Sequence, residues 1–291
     1  MLVYHGRVTQ TPVARTPAPI TIGGRSFEWG ERTYIMAIVN VTPDSFSGDG
    51  LGGDVDAALR QAVQMRADGA DIIDVGGEST RPGFAEVGED EELRRTMPVV
   101  DRLARELDVP ISIDTYKSRV AKEAIAAGAT MINDVHGFLR EAEIARVAAE
   151  AGVPAVAMYY HRGRAFKDTI GNVIEGLLES LAVAREQGLP DDQIIIDPGF
   201  NFGWTDDQAL EMLRRLGELR VLERPILIGT SRKSTIGKVL GDLPIEERLE
   251  GTAATVAISI ANGADIVRVH DVKEMARVAK MADAVVRGWK R

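Results

Sequence analysis

The stretch KSRVAKEAIAAGATMIND, residues 117–134, carries the pattern from which the fold can be read. Lys117 to Ala127 reads as an amphipathic helix, with its apolar residues gathered on one face. Gly128 follows, the residue that most readily takes the left-handed backbone ending a helix. Met131–Asp134 is then a short apolar run closing on two polar residues, Asn133 and Asp134. The same unit of helix, Gly-Ala or Gly-Val, and apolar run recurs around Gly69-Ala70, Gly152-Val153 and Gly263-Ala264.

Working outward, the other apolar runs are Tyr34–Val39, Asp71–Val75, Ile111–Asp114, Pro154–Tyr159, Gln193–Asp197, Pro225–Gly229 and Asp265–Val269. Each is near strand length, and most are rich in Ile and Val, as parallel strands buried on both faces are. Helical patterns lie between them, at Asp54–Asp68, Glu141–Ala151, Asp206–Leu219 and Val272–Arg287, and Gly188 marks another helix stop. Strands alternating with helices in this number most simply close into a (β/α)8 TIM barrel. A doubly wound open sheet is the alternative, and against it no G-x-G-x-x-G follows the first run. Residues 1–33 read as an irregular arm followed by a β-hairpin, with Gly23-Gly24 between two short alternating runs of Ile20–Trp29. The barrel is expected over residues 34–291.

Composition narrows the function classes. The chain has 291 residues, 45% apolar and 27% charged, an ordinary globular profile that one barrel of about 250 residues can absorb. A net charge of −9 argues against a nucleic-acid partner, which usually meets a basic face. The absence of cysteine removes disulfides and thiolate chemistry and fits a cytoplasmic location. No apolar run of about 18 residues is present, so no membrane partner is expected. Met1–Thr33 lacks a basic stretch followed by an apolar one, so no secretory signal is expected either.

In a barrel of this kind the site lies at the C-terminal ends of the strands. The first run ends at Asn40, followed by Thr42-Pro43-Asp44-Ser45-Phe46, and the second carries Asp74 and leads into Gly76–Gly83. Asp114, Asn133-Asp134, Tyr159-Tyr160-His161, Asp197-Pro198-Gly199, Ser231-Arg232-Lys233, and Arg268 with His270 close the others. Any one of these is equally well explained as a helix cap; their convergence on one mouth is the informative fact. Asp74, Asp114, Asn133 and Asp197 suit a flat ligand edged with N–H donors, each charge-assisted bond being worth about 1.5–3 kcal/mol. Arg81, Arg232, Lys233, Arg268 and His270 suit a phosphate or diphosphate. His136 and His161 lack a spacing partner and read as surface or core residues rather than ligands. Glu78 reads as bonding backbone inside its loop, and Glu89 to Glu92 as the acidic first turn of a helix. Gly229 to Gly237 fails as a P-loop, because Arg232 and Val239 stand where Gly and Ser or Thr are needed.

Two motifs go further. Asn40-Val41-Thr42-Pro43-Asp44-Ser45-Phe46-Ser47 and Gly76-Gly77-Glu78-Ser79-Thr80-Arg81-Pro82-Gly83 resemble the first- and second-loop signatures of the dihydropteroate synthase family. Ile113-Asp114-Thr115, Ile132-Asn133-Asp134, Asp197-Pro198-Gly199, Ser231-Arg232-Lys233-Ser234 and Arg268-Val269-His270-Asp271 follow in that family's order. The resemblance implies condensation of 6-hydroxymethyl-dihydropterin diphosphate with p-aminobenzoate, giving dihydropteroate and diphosphate with Mg²⁺ as cofactor. It implies that Asp114, Asn133, Asp197 and Lys233 hold the pterin, with Asp74 beneath it and Phe202 among the substrate-binding residues. It further implies that Asn40 helps hold Mg²⁺ and that Arg81, Arg268 and His270 meet the diphosphate. Thr80, Pro82, Phe46, Lys233 and Ser231 would border the aminobenzoate, and Lys233, Arg268, His270 and Asp114 form the expected catalytic set. A homodimer is implied too, with Ala253–Ala261 suited equally to its interface and to packing on the barrel.

The resemblance has departures. Asn201-Phe202 stands where the family usually has Gly-Phe, Trp204 where a Lys often follows, and Met158-Tyr159-Tyr160-His161 where a Met-His pair is common. Either Met158 or Tyr159 is then expected to cover the ring. The alternatives left open are a pterin-binding methyltransferase domain acting on methyltetrahydrofolate and a non-catalytic pterin-binding paralogue.

Overall fold

The computed structural model describes residues 16–42, 54–78, 86–161, 163 and 168–289. It begins with an antiparallel hairpin, β1 (Ile20–Ile22) and β2 (Arg25–Phe27). Gly23 and Gly24 close it with φ of 55° and 77°. Both central positions are left-handed, the backbone of the tight turn whose twist matches its strands, and glycine takes it without steric cost.

An 8-stranded parallel sheet follows. Its strands are β3 (Tyr34–Asn40), β4 (Ile72–Gly76), β5 (Ile111–Asp114), β6 (Met131–Asp134), β7 (Ala155–Met158), β8 (Ile194–Asp197), β9 (Leu227–Ile228) and β10 (Ile266–Val269). Neighbours pair in parallel from β8 back to β3, then through β10 to β9. A parallel bridge between Ile196 and Ile226 closes the ring. The barrel read from the sequence is therefore the observed architecture.

The helices are α1 (Val55–Asp68), α2 (Glu89–Glu106), α3 (Ser118–Ala126), α4 (Glu143–Ala151), α5 (Thr169–Glu186), α6 (Asp206–Arg214), α7 (Ser234–Val239), α8 (Leu249–Ala261) and α9 (Val272–Val286). Asp54 caps α1 by accepting from Ala57 N, and Gly69 ends it in the left-handed conformation. Two details depart from the expected alternation. The β9–β10 connection holds two helices, α7 and α8, rather than one. The pattern expected as one helix over Asp206–Leu219 is α6 to Arg214, and then a 3-10 helix over Leu216–Leu222. Apolar spacing alone does not distinguish these two windings over so short a span.

Strand parity explains where everything sits, because successive side chains point to opposite faces. Ile35, Ala37, Val39, Ile73, Val75, Ile111, Ile113, Ile132, Ala155, Ala157, Ile194, Ile196, Val267 and Val269 face out into the layer shared with the helices. The alternate positions face the barrel axis. At the N-terminal end of the strands these are Tyr34, Met36, Ile72, Met131, Val156, Ile195, Leu227 and Ile266, and Ile20, Ile22, Phe27 and Trp29 of the hairpin segment pack into the same cluster. The hairpin thus plugs the bottom of the barrel. Farther along the strands the same parity presents Asn40, Asp74, Asp114, Asn133, Met158, Asp197, Arg268 and His270. Among the described residues no helix is long and apolar enough to cross a membrane.

Candidate active site

The polar mouth opens into a cavity of about 300 Å³ lined by Asn40, Glu78, Asp114, Asn133, Met158, Tyr160, Asp197, Phe202, Ser231, Lys233, Arg268 and His270 among others. Its floor is Asp74, fully buried one step below the lining. Asp74 Oδ2 accepts from Asn133 Nδ2 at 3.0 Å and from Arg268 Nε at 2.7 Å. From this buried position Asp74 orients two residues of the cavity lining. Arg268 also donates from Nη2 to Asp114 Oδ2 at 2.6 Å. One guanidinium thus ties β10 to β4 and β5. Burial alone would lower the guanidinium pKa, but Asp74 and Asp114 more than offset this and raise it.

Two carboxylates face the cavity in environments that disfavour charge. Burial pushes the Asp114 carboxyl up to about 7, opposed by Arg268 and reinforced by the charge of Asp74. Burial pushes Asp197 up to about 6, opposed by the Gly199 N–H, by Lys233 and by Arg268. Asp197 Oδ1 accepts that N–H at 2.7 Å. Gly199 has φ of 73°, and a Cβ there would sit 1.9 Å from the Tyr159 carbonyl oxygen. Only glycine lets the chain turn this closely past β7. Asp134, next to Asn133, does not face the cavity; it accepts from the His136 and Phe138 N–H groups and builds the turn after β6.

The cationic rim is ordered by contacts between β9 and β10. Ser231 Oγ lies 3.0 Å from His270 Nδ1. Arg232, with φ of 56°, makes a two-pronged pair with Asp271 at 3.0 and 2.6 Å. Arg232 was grouped above with the anion-binding cations, and the structure gives its fork to Asp271. Lys233 Nζ stands 4.1 Å from the centroid of the Phe202 ring, a cation–π contact. Asn40 ends β3 at the same mouth.

In the wall after β7, successive residues take opposite faces. Met158 and Tyr160 line the cavity, continuing the inward parity of Val156, while Tyr159 is buried in the strand–helix layer. Tyr159 donates its hydroxyl to Asn172 Oδ1 at 2.6 Å. The departures from the family pattern also turn out to touch each other. The His161 and Trp204 rings stack at 4.4 Å, Tyr159 meets Trp204 at 5.9 Å, and Tyr160 meets Phe202 at 5.7 Å. Burial lowers the His161 pKa, in keeping with a packing role. Tyr160 was not singled out as a site residue; the period-two alternation through 156, 158 and 160 was the available signal.

A buried ion network at the root of the second loop was also missed. Lys117 Nζ pairs with Glu78 Oε2 at 2.5 Å and with Glu92 Oε2, and Tyr116 donates to Glu78 Oε1 at 3.0 Å. Glu78 is thus held by side chains, not by the loop backbone expected for it. Glu89 to Glu92 form the acidic first turn of α2, as expected, and within it Glu92 is wholly buried. Burial raises its pKa against the pull of Lys117. Burial alone would lower the Lys117 pKa, and the two glutamates lift it above its ordinary range. Phe46, Thr80, Arg81 and Pro82 lie outside the described residues.

The comparisons with known proteins agree with this geometry. The family model described as pterin binding enzyme matches residues 36–270. The dihydropteroate synthase of Clostridium beijerinckii is 49% identical over 267 residues, spanning 91% of this chain and 99% of that one. The chain is a member of the dihydropteroate synthase family. The Bacillus subtilis synthase is also 49% identical, over 90% of this chain and 91% of its own. Among solved structures, family membership shows as close superposition. The synthase from Clostridium difficile, determined in the presence of pteroic acid, has a TM-score of 0.85 at 49% identity, covering 90% of this chain and 99% of that one. The Xanthomonas albilineans synthase with 4-aminobenzoic acid has a TM-score of 0.86 at 38% identity, covering 93% and 98%.

Proposed function

We propose that this chain condenses 6-hydroxymethyl-7,8-dihydropterin diphosphate with p-aminobenzoate, forming 7,8-dihydropteroate and releasing diphosphate. The observation that carries the proposal is the convergence of Asp114, Asn133, Asp197 and Lys233 on one cavity, with Arg268 and His270 at its rim. Ionised Asp114 and Asp197 offer paired acceptors to the N–H groups of the pterin edge, Asn133 is held in place by Asp74, and the Lys233 ammonium serves a ring carbonyl. In the reaction a C–O bond to diphosphate breaks, a C–N bond to the arylamine forms, and the amine nitrogen gives up a proton. Carboxylates around the ring favour the positive charge that develops there as diphosphate leaves, and Arg268 and His270 favour the departing anion. Met158, Tyr160 and Phe202 shield the ring from water.

Mg²⁺ belongs to the proposal. Among the described residues no three His, Asp or Glu side chains gather to cage a metal, but Mg²⁺ commonly takes one or two protein oxygens and the rest from phosphates and water. The Asn40 amide fits that sparse donor set, and the ion would neutralise charge on the leaving diphosphate. Phe46, Thr80 and Pro82 at the aminobenzoate and Arg81 at the diphosphate rest on the family motifs. A homodimer is proposed through α8 and α9: Ile258, Met281 and Val285 are exposed apolar residues, the last two four residues apart on one face of α9, and Trp289 just beyond that helix is exposed as well. A cytoplasmic location rests on the cysteine-free sequence.

The test is direct. Purified protein given the pterin diphosphate, p-aminobenzoate and Mg²⁺ should release diphosphate and form dihydropteroate in equal amounts. Diphosphate release that ignores the amine, or no product at any metal concentration, would refute the assignment.

A further inference from the structure

Loops 199–204 and 230–235 follow neighbouring strands at the pocket mouth, and one of the side chains that join them, Asn201, is not used by the proposed reaction. Asn201 has φ of 66°, a left-handed position that asparagine takes more readily than most residues. Its carboxamide bridges two hydroxyls at the start of α7, with Nδ2 donating to Ser234 Oγ at 2.8 Å and Oδ1 lying 2.9 Å from Thr235 Oγ1. Thr235 Oγ1 is in turn 2.5 Å from Asp206 at the start of α6.

Consecutive residues of loop 230–235 are held by neighbours on several elements. Ser231 is held by His270 and Arg232 by Asp271, both near the end of β10. Lys233 leans over Phe202, the residue next to Asn201. Ser234 and Thr235 are held by Asn201 itself. Asn201 and Phe202 together therefore grip Lys233, Ser234 and Thr235. The start of α7 sets where the Lys233 backbone stands, and hence the reach of its ammonium toward Asp197, which feels that charge.

We propose that Asn201 is a positioning residue of the pterin site, fixing the Lys233 ammonium over Phe202 and toward Asp197 by clamping the start of α7 to the loop after β8. The inference rests on the functional reading above, because it takes a pterin as the ligand that Lys233 meets. Asn201→Gly is the informative variant, since glycine keeps the positive φ without strain while removing the side chain that carries the carboxamide. Ser234→Ala cuts the same clamp from the other side.

The experiment titrates wild type, N201G, S234A and the double variant with 6-hydroxymethylpterin by calorimetry and records thermal midpoints alongside. Loss of two hydrogen bonds that order the site should weaken pterin binding about tenfold in N201G, with the midpoint little changed. S234A should lose less, and the double variant should bind no worse than N201G, the non-additivity of one shared clamp. A merely structural Asn201 would lower the midpoint and leave pterin affinity alone, and that result overturns the proposal. So do losses that simply multiply in the double variant. If wild type itself does not bind the pterin, the functional reading fails, and the positioning claim is judged by a crystal structure of N201G. There, Lys233 Nζ is expected to leave the Phe202 face; its persistence over the ring overturns the claim.

Discussion

The two ends of the barrel are built by the same strands and the same inward parity, yet they are filled with opposite chemistry. At the N-terminal end Met36, Ile72, Met131 and Ile195 join Ile22 and Phe27 of the hairpin in a buried apolar cluster. One or two inward positions farther along, the strands present Asp74, Asp114, Asn133, Asp197 and Arg268. Burying an apolar side chain stabilises the fold by about 1.5–3 kcal/mol, whereas burying a carboxylate costs free energy unless it is paired. The raised carboxyl pKa values at the top record that cost. Stability and ligand chemistry are thus separated along the strand axis, and the plugged bottom is what lets the top hold groups that oppose folding.

This division predicts that substitutions at the two ends separate cleanly. Phe27 is 2% exposed and its ring lies 4.6 Å from that of Tyr34. Phe27→Ala should cost about 3–5 kcal/mol in denaturant unfolding while leaving the KM for the pterin diphosphate unchanged in the folded fraction. A rise in KM matching the stability loss would show the two ends to be coupled. Asp197→Ala should do the reverse, losing about 1.5–3 kcal/mol of pterin affinity, roughly ten- to a hundredfold, without lowering stability. Calorimetry showing wild-type affinity in that variant would remove Asp197 from the pterin site.

A smaller effect concerns pH. Asp114 and Asp197 are raised from 3.8 to about 7 and about 6 in the folded protein. Between those values the folded state holds protons that the unfolded chain has released. Their contribution to stability is therefore greatest below about 4 and is lost as pH rises toward about 7. Pterin affinity should move the opposite way over the same window, because the ionised carboxylates accept the ring N–H groups. Denaturant unfolding and calorimetry between pH 5 and about 7.5 should show these opposed slopes, and Asp197→Asn should flatten part of the first. Parallel slopes would contradict the picture.

Much of this was legible in the sequence, for physical reasons that also mark where legibility stopped. The strands were visible because they are buried on both faces, so Ile194–Asp197 and Ile266–Val269 stand out as apolar runs without needing their neighbours. Gly23-Gly24 announced a hairpin, but nothing local says that it plugs the barrel. The site residues were visible as a coincidence of polar strand ends. Their pairing was not: Arg268 and Asp74 meet across 194 residues of chain. Glu92 looked like any acid in a helical first turn, and only the fold brings Lys117 to it. Asn201, Trp204, Tyr159 and His161 read as scattered departures, and in space the last three form one packed unit beside Phe202.

The most direct test of the shared pocket is a crystal structure with 6-hydroxymethylpterin and diphosphate bound. The ring should lie above Asp74, its N–H edge on Asp114, Asn133 and Asp197 and a carbonyl toward Lys233, with diphosphate against Arg268 and His270. A pterin seated elsewhere on the barrel, or those side chains turned away from it, would contradict the account.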